Sequence, residues 1–217
     1  MRGLSDKFDL FIFDWDGTLS SVKLLRKINE KVNPFWKYKK DVQSRAVMEK
    51  EQDFDKLASK VKRGMHRKST ETRLFAPIID FSISLTRPKL HNDSRELLED
   101  LRRRKKKVVL LTNGASWRVA KELELLDVSR YFDLVVSAQD LKILKPNPLG
   151  INVILALMKT KRSRAVYIGD MGDDILLAKY AKVSSCALAC GFDNYQKLKS
   201  FKPDYLFRSV EMLWKAL

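Results

Sequence analysis

One unit recurs along the chain: a short apolar run ends in small or acidic residues, and a helical pattern follows. The apolar runs are Asp9–Phe13, Val108–Leu111, Asp133–Val136 and Ala165–Ile168. The predicted helices after the last three runs are Trp117–Leu126, Leu149–Met158 and Ile175–Lys182, and two further predicted strands are Ser185–Ala189 and Tyr205–Phe207. Alternating strands and helices favour an α/β fold with helices on both faces of the sheet. We therefore predict a doubly wound parallel sheet.

Polar residues stand directly after three of these runs. Asp14-Trp15-Asp16-Gly17-Thr18 follows the first, Thr112-Asn113-Gly114 the second and Gly169-Asp170 the fourth. Open α/β sheets bind ligands outside the carboxyl ends of their strands. The sequence therefore predicts a functional site at that edge of the sheet.

The strand and helix alternation stops after the first run. Residues 23–32 and 35–65 are rich in Lys and Arg and carry apolar residues near helical spacing, which indicates amphipathic helices. The predicted division is therefore a core of residues 1–19 and 91–217, interrupted by a mostly helical basic insertion of residues 20–90.

The positive charge is concentrated near this insertion. Lys and Arg total 43 against 27 Asp and Glu, which gives a formal net charge of +16. Residues 20–107 contain 25 basic and 12 acidic residues, so they carry +13 of that charge. Such a field attracts phosphorylated metabolites, nucleic acids and acidic membrane surfaces alike.

Composition excludes several classes of protein. A chain that is 45% hydrophobic and 32% charged is neither disordered nor collagen-like nor a disulfide scaffold. It has no apolar run of about 20 residues and no signal-like start, so we expect a cytoplasmic protein with no membrane partner. Cys186 and Cys190 are expected to be buried small hydrophobes rather than a disulfide or half of a metal site.

The two acids after the first strand are the sharpest chemical signal. Asp14 and Asp16 could form an Asx turn or a helix cap. Alternatively, one carboxylate attacks an electrophile while the other moves a proton, provided that a cation suppresses their repulsion. Other polar residues also have structural interpretations, which are helix caps for Thr112, Asp170 and Asp174 and a solvated surface position for Lys145.

Together, these residues resemble a known family. Asp14-Trp15-Asp16-Gly17-Thr18 closely resembles the signature of the haloacid dehalogenase-like phosphohydrolases. Thr112, Lys145 within Leu144–Pro148, and Gly169–Asp174, with two acids four apart, match the family's later motifs in the right order. The resemblance covers Phe8–Ser20 and about Asn92–Leu217, and is greatest to the phosphoglycolate phosphatase-like branch. The basic insertion occupies the place of the family's helical cap.

The resemblance implies a Rossmann-like core and hydrolysis of phosphate monoesters of small metabolites. Asp14 would be the nucleophile that forms an aspartyl-phosphate. Asp16 would protonate the leaving alcohol and later deprotonate the attacking water. Thr112, Lys145 and backbone N–H groups near Asn113 would bind phosphoryl oxygens.

The resemblance also implies a Mg²⁺ cofactor. The carboxylates of Asp14 and Asp170 and the backbone carbonyl of Asp16 would hold it, with Asp174 or Asp173 contacting it directly or through water. Nothing in the residues themselves decides between the last two acids.

Three other activities share parts of this pattern. A phosphomutase of the β-phosphoglucomutase type would share all four motifs and protect its aspartyl-phosphate from water. A nucleic-acid-binding or polynucleotide-end phosphatase role would use the basic insertion, but the full set of acids argues against a pure binding module. A dehalogenase is disfavoured, because that chemistry has no leaving alcohol for Asp16 to protonate.

Overall fold

A computed structural model describes residues 3–21, 88–137, 141 and 144–217. Its strands are β1 Leu10–Phe13, β2 Ser20–Ser21, β3 Lys89–Leu90, β4 Lys107–Thr112, β5 Leu134–Ser137, β6 Ala165–Gly169, β7 Ser184–Leu188 and β8 Tyr205–Phe207. Six of them form one sheet in the order β5-β4-β1-β6-β7-β8, with every neighbouring pair parallel. The predicted parallel α/β sheet is confirmed.

Seven α-helices lie in the part of the chain that the structure describes. They are α1 Leu4–Lys7, α2 Ser94–Arg103, α3 Ser116–Leu125, α4 Leu149–Leu157, α5 Gly172–Ala181, α6 Tyr195–Ser200 and α7 Val210–Lys215. The prediction for α5 was wrong at its start, because the helix begins at Gly172 rather than Ile175. The Asp174 carboxylate accepts hydrogen bonds from the backbone N–H groups of Asp170 and Met171, which caps the helix one turn earlier.

Strand β1 lies at the centre of the sheet and is buried on both faces. Phe11 and Phe13 pack into one apolar cluster, whereas Leu10 and Ile12 pack into the cluster on the opposite face. All four side chains are fully buried. Covered parallel strands need apolar residues on both faces, which explains why the run shows no alternation with polar residues.

The strand order determines which loops meet. Because β1 lies between β4 and β6, Phe13 is in register with Leu110 on one side and with Ile168 on the other. The chain goes from β1 to one side of the sheet and later returns to the other side. Such a reversal leaves a crevice at the carboxyl ends of the central strands. Asp14 and Asp170 follow the strands that border it.

The ends of the predicted insertion are adjacent in space. Strand β2 pairs antiparallel with β3, so that Ser20 lies opposite Leu90 and Ser21 opposite Lys89. The rest of the predicted cap, including the predicted helices at 23–32 and 35–65, lies outside the described residues. The division into a core and a helical cap therefore stays a prediction.

Both cysteines lie in the described part of the chain and both are free. Cys186 is buried in β7, whereas Cys190 is partly buried just beyond that strand. The prediction that they form no disulfide is confirmed. None of the described helices is long and apolar enough to cross a bilayer.

The burial pattern predicts how much single leucines contribute to stability. Leu110 in β4 is fully buried, whereas the Leu125 side chain in α3 is 54% exposed. We expect Leu110→Ala to lower the free energy of unfolding by about 2–5 kcal/mol, because it removes core contacts and leaves a cavity. The matched variant Leu125→Ala should change it by less than about 0.5 kcal/mol. Urea denaturation of both variants measures the difference, and similar losses would contradict the assigned core.

Candidate active site

Asp14 begins the site at the carboxyl end of β1. Its side chain is buried, and its Oδ1 lies 2.8 Å from the Lys145 Nζ. Lys145 lies in the loop before α4, where its backbone N–H donates to the Asn113 Oδ1 at 3.0 Å. Asn113 follows β4. The loop after β4 therefore fixes Lys145, which in turn contacts Asp14 after the neighbouring strand β1.

Asp170 and Asp174 join Asp14 in a cluster of three buried acids. One oxygen from each carboxylate lies within 4.8 Å of the others. The Lys145 Nζ is 2.7 Å from the Asp174 Oδ1 as well as close to Asp14. Two of the three clustered carboxylates therefore contact one buried ammonium group.

The Asp170 carboxylate is held on both oxygens. The Thr18 hydroxyl donates to Oδ1 at 2.8 Å, and the Phe192 backbone N–H donates to Oδ2 at 2.7 Å. Gly17 passes directly beside this carboxylate with a φ of 88°. A Cβ at Gly17 would lie 2.3 Å from the Asp170 Oδ2, so the turn requires glycine both for its conformation and for this close approach.

Of the two neighbouring acids in α5, Asp174 is the one in the cluster. Its Oδ2 caps the helix, and its Oδ1 faces Lys145. The Tyr167 hydroxyl lies 3.2 Å from that Oδ1 and donates to the Leu111 carbonyl at 3.1 Å. Asp173 is partly buried and does not belong to the three-acid cluster.

The Asp16 side chain turns to a different partner. Its carboxylate pairs with both terminal nitrogens of Arg118 in α3, at 2.9 Å and 2.5 Å. The Arg118 Nη1 also lies 2.9 Å from the Glu122 Oε1, and the Trp15 Nε1 donates to the Glu122 Oε2 at 2.6 Å. Sequence reasoning missed Arg118 and Glu122, because an Arg and Glu four apart on a helix are also typical of an exposed surface pair.

Thr112 ends β4 and is buried. Its Oγ1 accepts a hydrogen bond from the Gly114 backbone N–H at 3.0 Å. Because β4 neighbours β1, the loop after Thr112 lies at the same edge of the sheet as Asp14.

Burial dominates the electrostatics of these groups. It raises the pKa of Asp14 to about 6, although Lys145 opposes the shift and Asp174 adds to it. Burial, reinforced by Asp174 and Asp14, also raises the pKa of Asp170 well above its ordinary value. Burial alone would lower the pKa of Lys145, but Asp14 and Asp174 outweigh it and keep the ammonium charged.

The raised pKa of Asp14 predicts a pH-dependent stability. The folded protein keeps the Asp14 proton up to about pH 6, whereas an unfolded chain releases it near the ordinary pKa of 3.8. The folded state therefore binds more protons in this window, and its free energy of unfolding falls as the pH rises through it. In metal-free buffer we expect Asp14→Asn to be more stable than wild type above this window, by up to about 3 kcal/mol. The difference should vanish near about pH 4 in urea denaturation.

Asp9 provides a control of opposite sign. Hydrogen bonds from Arg164 lower the pKa of Asp9, so this acid stabilises the fold above its unfolded pKa and loses that contribution as the pH falls. Asp9→Asn should therefore be less stable than wild type at neutral pH. Parallel stability curves for wild type and Asp14→Asn would contradict the predicted proton uptake.

Known proteins resemble this chain in sequence and in fold. The phosphoglycolate phosphatase of Vibrio parahaemolyticus is 30% identical over 128 residues, which are 59% of this chain and 56% of that protein. The chain spans about half the length of the curated relatives that it matches. A solved structure from Haemophilus somnus, described as a predicted phosphoglycolate phosphatase, has a TM-score of 0.66 at 17% identity, with 96% of this chain and 97% of that one covered. A dehalogenase structure matches with the same TM-score at 21% identity over 98% of both chains, so these likenesses show the fold alone.

A family model gives the decisive match. The model described as haloacid dehalogenase-like hydrolase matches residues 8–182, which include β1, the loops after β4 and β6, and the three-acid cluster. The chain belongs to the haloacid dehalogenase-like hydrolases.

Proposed function

We propose that the chain is a phosphatase that hydrolyses phosphate monoesters of small metabolites. The observation that carries the proposal is the cluster of Asp14, Asp170 and Asp174 at the carboxyl ends of the central strands, with Lys145 in contact with Asp14 and Asp174. Catalysis of phosphoryl transfer depends mainly on positioning and on neutralising negative charge. A buried nucleophile beside a fixed ammonium and further metal-ligating groups suits that task.

The donor set fits a magnesium ion. The Lys145 ammonium contacts two of the three buried acids, Asp14 and Asp174, and carboxylate oxygens are ligands that Mg²⁺ prefers. The carboxylates of Asp14, Asp170 and Asp174 and the backbone carbonyl of Asp16 would hold the ion. When bound, Mg²⁺ would supply a positive charge that stabilises the phosphoryl oxygens in the transition state.

The proposed reaction has two steps. In the first, an Asp14 carboxylate oxygen bonds to phosphorus while the bond from phosphorus to the ester oxygen breaks, and Asp16 gives its proton to the leaving alcohol. In the second, a water oxygen bonds to phosphorus while the bond from phosphorus to the Asp14 oxygen breaks, and Asp16 takes a proton from that water. Inorganic phosphate leaves, and both acids return to their starting states.

The remaining residues of the site would bind the phosphoryl group. The Thr112 Oγ1 accepts from the Gly114 N–H, so its hydroxyl proton is available to donate to a phosphoryl oxygen. The Lys145 ammonium supplies a charged donor beside Asp14. Asn113 contributes by holding the Lys145 backbone, and backbone N–H groups near it would add donors.

We also propose that residues 20–90 form a helical cap that attracts the substrate. This stretch carries 18 Lys and Arg against 8 Asp and Glu, and its ends pair in β2 and β3 beside the site. A positive field over the entrance would raise the capture rate of phosphorylated anions. The free thiols of Cys186 and Cys190 accord with a reducing cytoplasm.

Phosphate release from a substrate panel tests the proposed function. The panel should contain phosphorylated sugars, short phosphorylated acids, nucleotides and oligonucleotides with a terminal phosphate. Free phosphate from small metabolites would support the proposal. An isomerised sugar phosphate would favour a phosphomutase instead, and turnover of oligonucleotides alone would favour a polynucleotide-end phosphatase.

We expect Asp14→Asn to abolish turnover while leaving the fold intact. An amide of the same shape cannot attack phosphorus, so the loss in kcat should exceed about a thousandfold. Asp9 directly precedes β1, at the opposite end of that strand from Asp14. Asp9→Asn is therefore the matched control and should retain near wild-type kcat. A folded Asp14→Asn protein with more than about a tenth of the wild-type rate would contradict the covalent route.

Hydrolysis should also require a divalent cation. EDTA should stop it and Mg²⁺ should restore it, whereas Ca²⁺ should inhibit, because its larger and looser coordination shell alters the position of Asp14. Mg²⁺ should raise the melting temperature of wild type but not that of Asp170→Asn, which reports binding without turnover. Full activity in metal-free buffer would contradict the assigned metal site.

A further inference from the structure

We propose that Arg118 is a positioning residue that holds the Asp16 carboxylate in the orientation needed for proton transfer. The inference rests on the proposed function, because Asp16 is the acid and base of that reaction. It adds a part of the site that lies on α3, outside the four sequence motifs that carry the family resemblance.

The geometry of the pair is specific. Arg118 contacts both oxygens of Asp16, Nη1 to Oδ1 at 2.9 Å and Nη2 to Oδ2 at 2.5 Å. The Arg118 side chain is 14% exposed and the Asp16 side chain 19%. Two parallel hydrogen bonds between planar groups restrict rotation of the carboxylate far more than a single contact does.

Arg118 is itself held in place by a second carboxylate, that of Glu122. Its Nη1 lies 2.9 Å and 3.0 Å from the two oxygens of Glu122, whose side chain is 2% exposed. The Trp15 indole N–H, from the residue between the two catalytic acids, donates to the same carboxylate. The chain of contacts therefore returns from α3 to the loop that carries Asp16.

The loop after β4 leaves room for this pair. A Cβ added at Gly114 would lie 2.5 Å from the Arg118 Nη2 and 3.1 Å from the Asp16 Oδ2. The backbone that would donate to phosphoryl oxygens thus packs directly against the pair. A substituent at this position would displace either the guanidinium or the carboxylate.

A substrate-binding role fits the contacts less well. The Arg118 guanidinium is already paired with two carboxylates, those of Asp16 and Glu122, so its charge is balanced within the protein. Arg118 should therefore act on the reaction through Asp16. Its removal should affect kcat rather than KM, and most strongly where the leaving group needs a proton.

The experiment compares two probes of similar size in saturating Mg²⁺. The alkoxide that leaves benzyl phosphate needs protonation, whereas the leaving group of p-nitrophenyl phosphate departs with little help. We expect Arg118→Met to lower kcat on benzyl phosphate about 100-fold and on p-nitrophenyl phosphate less than about tenfold, with KM nearly unchanged. Arg118→Lys should recover part of the loss, because it restores the charge but not the two-point contact.

A double-mutant cycle tests whether Arg118 acts through Asp16. Asp16→Asn should show the same dependence on the leaving group, and adding Arg118→Met to it should cause little further loss. Arg164→Met is the matched control, because Arg164 forms a two-point pair with Asp9 at the far edge of the sheet, at 2.8 Å and 2.7 Å. It should leave kcat on both probes unchanged.

Removing Arg118 leaves Glu122 without its cation, so folding must be checked by circular dichroism. The variant Arg118→Met/Glu122→Gln removes the charge and keeps an acceptor for Trp15. If neither variant folds, Arg118→Lys decides the question, with a selective loss of about tenfold expected on benzyl phosphate.

Equal losses on the two probes that persist when Arg118→Met is added to Asp16→Asn would overturn the inference. So would a raised KM at constant kcat, or losses that multiply in the Arg118→Met/Asp16→Asn variant. These outcomes leave the phosphatase intact and differ from failure of the proposed function. That failure would appear as a wild-type protein that releases no phosphate from either probe, and it would overturn the inference as well.

Discussion

The Lys145 ammonium is the group on which the site depends. It lies within 3 Å of both Asp14 and Asp174, in an interior where an unpaired carboxylate costs several kcal/mol. This cation offsets part of the electrostatic repulsion between the two acids. The sheet makes the arrangement unavoidable, because β1 lies between β4 and β6 and all three strands end at one edge. The strand order thus brings Asp14 and Asp174 together, and the ammonium of Lys145 reduces the repulsion between them.

Much of this arrangement could be predicted from the sequence, because it depends on strand pattern and on residues that follow strands. The apolar run before Asp14 indicated a strand covered on both faces, and β1 is buried in this way. Asp14 and Asp170 follow such runs directly, so a parallel sheet had to place them at one edge. The choice between Asp173 and Asp174 could not be made, since it depends on where α5 begins.

Arg118 and Glu122 could not be predicted as site residues, because only tertiary contacts show that they belong to the site. Arg118 and Glu122 stand four apart on α3, a spacing that an exposed ion pair would share. Only the contacts with Asp16 and Trp15 distinguish them, and those residues are about a hundred positions away in the chain. The start of α5 was missed similarly, because a carboxylate assigned to chemistry also caps the helix.

The antiparallel pairing of β2 with β3 has an evolutionary consequence. Ser20 and Leu90 are held opposite each other by the pairing of β2 with β3, so the segment between them leaves the core and returns to it at one place. The entropic cost of closing such a loop grows only with the logarithm of its length. Relatives can therefore lengthen, shorten or replace the inserted segment without moving a strand of the central sheet. The three clustered acids lie outside this segment, so such changes leave them in place.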